Sequence, residues 1–140
     1  MKIFESKREI AASPNTVFDT FEQPEILAKW WGPSGFTNTF EIFDFRPKGL
    51  WKFVMHGPDG KNYPNECLFA EISRPGKVVI RHESEPKFTL TVTIVESGSG
   101  SSVFWVQEFD SEEVAEAVAH IVRPANEQNL DRLVAILVSS

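Results

Sequence analysis

Apolar side chains recur along this chain with two periods, near two residues and near three to four, and the changeovers delimit its elements. Ile3, Glu5, Lys7 and Glu9 alternate with Phe4, Ser6, Arg8 and Ile10, which predicts a strand over residues 2–10. Ser13-Pro14-Asn15-Thr16 then reads as a helix start, with Ser13 as N-cap and Pro14 at the first helical position. Val17, Phe18 and Phe21 supply that helix with an apolar face. Pro24 opens a second short helix, to Lys29, with Ile26, Leu27 and Trp30 at helical spacing. It closes on Trp30-Trp31-Gly32-Pro33-Ser34-Gly35-Phe36. Pro33 cannot continue a helix, and the glycines permit backbone angles closed to other residues. Two adjacent indoles cannot both enter one helix face. One is expected beneath the helix, the other on the rim of a neighbouring cavity.

From Phe36 to Phe109 the period is that of strands, punctuated by turns. Pro47-Lys48-Gly49 separates a strand near 36–45 from Leu50–His56, and Gly57-Pro58-Asp59-Gly60 forms the next turn. Strands follow over 61–72, Val78–Ser84 and Phe88–Glu96, the last with Phe88, Leu90, Val92 and Ile94 alternating with Thr89, Thr91, Thr93 and Val95. Such alternation predicts a sheet with one buried and one wetter face. Ser97 to Ser102 is expected as a flexible hairpin loop before a last strand, Val103–Phe109. Asp110-Ser111-Glu112-Glu113 has the form of a capping box with Asp110 as cap. Pro124 predicts a break or kink near Arg123, after which Asn126–Val138 carries Leu130, Leu133, Val134 and Leu137 on one stripe. The order is strand, two short helices, about six antiparallel strands and a long C-terminal helix. This is an α+β arrangement, without internal repeat or linker, expected as one domain over 1–140.

Composition narrows the function classes. The net charge of −6 and the lack of any Lys/Arg cluster argue against nucleic acid as a partner. No apolar run reaches the length of a membrane span, and Met1-Lys2-Ile3-Phe4-Glu5 lacks a signal-peptide core. The single Cys67 excludes an intrachain disulfide, so a cytoplasmic setting is expected. Twelve Phe and four Trp are the compositional excess, and flat rigid rings leave gaps when they pack.

Certain ordered motifs add a resemblance. They are Ser13-Pro14 with Val17-Phe18, Leu27-Ala28-Lys29-Trp30-Trp31-Gly32-Pro33, and Asp44-Phe45-Arg46-Pro47-Lys48-Gly49-Leu50-Trp51. Met55-His56-Gly57-Pro58-Asp59-Gly60, Tyr63-Pro64-Asn65-Glu66, Glu71-Ile72 and Asn129-Leu130-Asp131-Arg132-Leu133 continue the series. In this order they resemble the START-like helix-grip superfamily (Bet v 1-like, SRPBCC), and within it bacterial proteins related to the C-terminal domain of the Hsp90 ATPase activator. The resemblance spans essentially the whole chain, and none of its motifs is a catalytic signature. It implies a curved antiparallel sheet gripping a long C-terminal helix, with an apolar cavity between them. Members bind lipids, sterols, polyketides or other apolar molecules, and a minority act on them as cyclases or dehydratases. The chain departs from the family in three places. Lys48-Gly49 stands where two glycines are usual, Cys67 near a usual glycine (the aromatic at Phe69 is kept), and Pro124-Ala125-Asn126 where a glycine-tryptophan pair is usual.

Against that implied fold, three strand faces carry the bulkiest side chains and are read as facing the C-terminal helix. They are Trp51, Phe53 and Met55; Tyr63, Asn65, Cys67 and Phe69; and Val103, Trp105, Gln107 and Phe109. The candidate ligand cavity therefore comprises Trp30, Trp31, Trp51, Phe53, Met55, Tyr63, Phe69 and Trp105, with Asn65, Gln107 and His120 as polar points. The alternative is that the same rings simply fill the core. His56 beside its turn is expected to be solvated, and His82 shares a face with Ile80. No His-Glu-x-x-His or Cys-x-x-Cys spacing occurs, so no metal or other cofactor is expected. Cys67 lacks the positive neighbours of a reactive thiol and reads as buried and inert. Glu41, Glu71 and Glu108 fit a solvated outer face, and Arg46 and Arg81 fit surface ion pairs.

Aromatic wealth without a catalytic constellation favours binding of a small apolar ligand, by a carrier or sensor that is a monomer or homodimer. A cyclase, dehydratase or hydrolase acting on such a ligand is the alternative, with Tyr63, Asn65, Gln107 and His120 as its polar groups and no catalytic residue assigned. An Hsp90 co-chaperone is the second alternative, weakened because the activator carries an additional N-terminal domain that these 140 residues lack.

Overall fold

The computed structural model describes residues 2–138. Its elements follow the order read from the periodicity: β1 (Ile3–Ile10), α1 (Pro14–Glu22), α2 (Pro24–Trp30), β2 (Thr37–Phe43), β3 (Leu50–His56), β4 (Asn62–Ser73), β5 (Lys77–His82), β6 (Phe88–Ser97), β7 (Gly100–Phe109) and α3 (Glu112–Val138). The strands form one antiparallel sheet in the order β1-β7-β6-β5-β4-β3-β2. Ser13 caps α1 as expected, its Oγ accepting from the Thr16 N–H.

Two apolar clusters lie on the inner face of the sheet. The larger gathers α1, α2, the centre of the sheet and Leu130 and Leu133 of α3. The smaller holds Phe4, Phe109 and Ala115, with Val114, Val118 and Val122 packed against it. One helix, α3, crosses both. Its first half sits on the small cluster and its second half on the large one.

Three expectations need correction. Ser97 to Ser102 is not a flexible loop: Ser97 pairs with Gly100, and β7 begins there. Ser101 Oγ donates to the Ala12 carbonyl at 2.6 Å and Ser102 Oγ donates to the Glu9 carboxylate at 2.7 Å, so both serines are anchored to β1 and the residues just after it. The cap of α3 is Ser111, whose Oγ accepts from the Val114 N–H. Asp110 instead takes both guanidinium nitrogens of Arg81, each at 2.7 Å. Finally, the break expected near Arg123 does not occur: α3 runs through Pro124 as one helix of 27 residues. Proline removes a helical donor, but packing against a separate cluster on each side keeps both halves in register.

The Trp30–Phe36 corner is fastened by two residues one turn apart on α3. Asn129 accepts from the Gly32 N–H through Oδ1 (3.2 Å) and donates through Nδ2 to the Trp30 carbonyl (2.8 Å). The Arg132 guanidinium donates to five carbonyls, those of Lys29, Trp31, Gly32, Pro33 and Phe36, at 2.7–3.1 Å. A guanidinium suits the C-terminus of α2, where unsatisfied carbonyls and the negative end of the helix dipole coincide. Gly32 has φ +96° and is buried, and a Cβ there would meet Met55 Cε at 2.7 Å.

Candidate functional site

Between the two clusters, where α3 passes from one to the other, a cavity of about 230 Å³ remains. Its walls are aromatic and aliphatic: Trp31, Phe53, Met55, Ile80, Phe88, Leu90 and Trp105. Ala125, Asn126 and Asn129 of α3 form the roof, just after Pro124. The polar points are Asn65, Cys67, His82 and Gln107. No Asp, Glu, Lys or Arg lines it. An outer depression of about 550 Å³ shares Pro33, Met55, Asn65, His82 and Pro86 with this cavity and continues it towards Phe36, Tyr63 and Ile121. The exposed Ile121 stands at this mouth with Glu85 and Asn62 on its rim.

The two indoles of the corner divide as their geometry requires. Trp30 is fully buried, with its Nε1 donating to the Thr20 carbonyl at 3.1 Å, whereas Trp31 borders the cavity. Of the candidate residues, Trp31, Phe53, Met55, Asn65, Trp105 and Gln107 come together on the cavity wall. Trp30, Trp51 and Phe69 do not. They form the layer behind it, with Trp51 stacked on Phe53 (4.3 Å between centroids) and on Phe69 (5.6 Å). Tyr63 is exposed at the mouth rather than inside, because β4 runs outward past Asn65. His120 is exposed and does not line the cavity, since the face of α3 that packs inward there carries Val118, Ala119 and Val122.

His82 is the imidazole that does line it, buried and directly paired with Cys67 across β4 and β5. The alternation that put it with Ile80 was visible in sequence, but not that β5 would form the cavity floor. Its Nδ1 lies 2.8 Å from the Pro86 carbonyl, which can only accept, so the proton is on Nδ1. Its Nε2 lies 2.6 Å from Asn65 Oδ1, while Asn65 Nδ2 donates to the Tyr63 carbonyl at 2.8 Å. Proton on both nitrogens would satisfy every contact; a neutral ring pairs with Asn65 only if that amide turns over. Burial is the larger effect and holds the His82 pKa below the ordinary histidine value.

Burial also pushes the Cys67 thiol up to about 12, with Glu83 and Glu66 adding to the shift. A thiol so protonated is a weak nucleophile. His82 is next to it, yet both ring nitrogens are engaged elsewhere. The pair is therefore not arranged as an activated nucleophile. Glu41, Glu71 and Glu108 are exposed, and Arg46 pairs with Asp44 at 2.7 Å. His56 is held between Thr39 and Asn62 at 2.7 Å each. Among the described residues no group of His, Cys, Asp and Glu could hold a metal ion, and no helix is long and apolar enough to cross a membrane.

Gln107 and Asn126 are the remaining polar pair. Asn126 Nδ2 donates to Gln107 Oε1 at 3.0 Å across the gap between β7 and α3. One amide-to-amide bond leaves an NH2 on the accepting residue and a carbonyl on the donating one.

Several solved structures share this architecture. A protein from Arthrobacter aurescens, determined by NMR, superposes with a TM-score of 0.91 at 23% identity, covering 99% of this chain and 87% of its own. A Nitrosomonas europaea protein gives 0.90 at 20% identity, with 99% and 95% covered. An AHSA1 protein from Silicibacter pomeroyi gives 0.77 at 19% identity, with 97% of each chain covered. At these identities the likeness concerns the fold. No curated protein matches the sequence at a significant level. The family model described as "Activator of Hsp90 ATPase homolog 1-like protein" matches residues 11–138. With that match over nearly the whole chain, and with the helix-grip architecture behind it, the chain belongs to the activator of Hsp90 ATPase homolog 1-like family.

Proposed function

We propose that this protein binds a small, uncharged, mostly apolar molecule in the cavity beneath α3, as a carrier or sensor. The observation that carries the reading is the cavity itself: lined by aromatic and aliphatic side chains, furnished with a few amide groups, and free of charged side chains. Its volume limits the ligand. A cavity of roughly 150 Å³ holds benzene, so about 230 Å³ suits a compound of one or two rings. A sterol or an acyl chain would extend into the mouth.

Native mass spectrometry of the purified protein, with organic extraction of any adduct, identifies what it carries. Titration with indane, read by the fluorescence of Trp31 and Trp105, tests the empty form. Saturable quenching supports the reading. Its absence up to the solubility limit, with no co-purified compound, overturns it.

An enzymatic role on the same ligand would need a group free to move a proton, and the one imidazole lining the cavity, His82, has its ring nitrogens facing the Pro86 carbonyl and Asn65. Binding requires no such rearrangement and is the better supported reading. The family's description refers to Hsp90, and a pull-down with Hsp90 at micromolar concentration tests that association independently.

A further inference from the structure

The Gln107–Asn126 pair defines the polar chemistry of the ligand. We infer that the cavity selects a neutral ring compound carrying a hydrogen-bond acceptor next to a donor, as in a ring-fused lactam, held by the free NH2 and the free carbonyl of this amide pair. The inference rests on the small-molecule reading above and adds to it.

Three observations support it. First, the amide-to-amide bond at 3.0 Å leaves one donor and one acceptor whichever way the two amides are oriented, so the conclusion does not depend on their assignment. Second, neither remaining group has another protein partner. The buried side-chain atoms without one, among the described residues, are Asn38 Oδ1, Trp51 Nε1 and Trp105 Nε1, so the Gln107 and Asn126 groups are not sealed in. Third, the other amides on the wall already face protein groups: Asn129 bonds Trp30 and Gly32, and Asn65 donates to the Tyr63 carbonyl with its oxygen against His82. With no cation on the wall, a carboxylate would lose its hydration without compensation. A pure hydrocarbon would leave both amide groups unpaired, which a complementary ligand avoids.

The test uses four probes of similar size: indane (no polar group), 1-indanone (acceptor), oxindole (acceptor and donor) and phenylacetate (anion). Affinities are read by tryptophan quenching on the whole chain. Oxindole is expected to bind roughly tenfold tighter than indane, with 1-indanone between them and phenylacetate weakest. Gln107→Leu and, separately, Asn126→Ala should each reduce the ratio of oxindole to indane affinity to about twofold or less. A thermal midpoint shows whether each variant folds, so failure of one leaves the other decisive. Indane binding as tightly as oxindole overturns this inference and leaves small-molecule binding standing. So does phenylacetate binding tightest. If none of the four binds, the cavity reading itself fails.

Discussion

Lys48 has a left-handed backbone, φ 69°, a conformation that favours glycine. A side chain in that region carries a steric penalty of roughly 1–2 kcal/mol, partly offset because glycine is freer when unfolded. Lys48→Gly should therefore stabilise the protein by about 0.5–1 kcal/mol in urea unfolding. The adjacent Gly49 cannot be exchanged in the same way, since a Cβ there would run into the Asp44 carbonyl. His82 belongs to the same scale. Its pKa is lowered mainly by burial, so the unfolded chain takes up the proton first as pH falls. Its contribution to stability is complete above about pH 6.5, the ordinary histidine value, and is lost as pH falls from there towards the folded pKa. NMR titration of the imidazole should give a midpoint below 6.5. A midpoint above that value would mean that the hydrogen bonds to Pro86 and Asn65 prevail over burial.

At the scale of elements, α2 and the corner after it are held mainly from outside. The helix has only seven residues and no side-chain N-cap bond, too short to be stable alone. Its last carbonyls go to other elements: Ala28 accepts from Asn38, Lys29 from Arg132 and Trp30 from Asn129, while Arg132 also takes the Trp31 and Gly32 carbonyls just beyond the helix. Arg132→Lys keeps the charge but cannot present the planar fork that reaches five carbonyls. A loss of about 2–3 kcal/mol is expected in chemical denaturation, with Trp31 quenching altered in the same variant. Helix starts and strand alternation were legible in the sequence because they are local: Ser13-Pro14, and the Phe88–Ile94 row. Ser101 and Ser102 were misread because their polarity suggests a loop, whereas their partners Ala12 and Glu9 lie some ninety residues away in sequence. The misreading of Asp110 as a cap has the same cause, since Arg81 claims it.

For the molecule as a whole, the cavity exists because α3 bridges two clusters and roofs the gap between them with small residues. Ala125→Leu should fill that gap. Indane and oxindole affinity should then fall at least about tenfold, while stability is unchanged or rises by about 0.5–2 kcal/mol, as cavity filling usually gives. Loss of binding together with loss of folding would instead point to a strained helix.

The order of elements, the inner faces of β3, β4, β6 and β7, and half of the cavity wall followed from sequence alone, because a period-two pattern states which residues share a face. That the two adjacent indoles would part followed from the same kind of local argument, but which of them would border the cavity did not, and both were assigned to it. What the pattern could not state is depth. Trp51, Phe69 and Phe53 share an inner face, yet only Phe53 reaches the cavity, since depth depends on which side chains come to lie opposite across the sheet and under α3. Nor could it place His82, Asn126 and Asn129 together, or turn His120 outward. Those positions depend on the pairing of β5 with β4 and on the path of a helix through Pro124, and both are contacts between residues far apart in the chain.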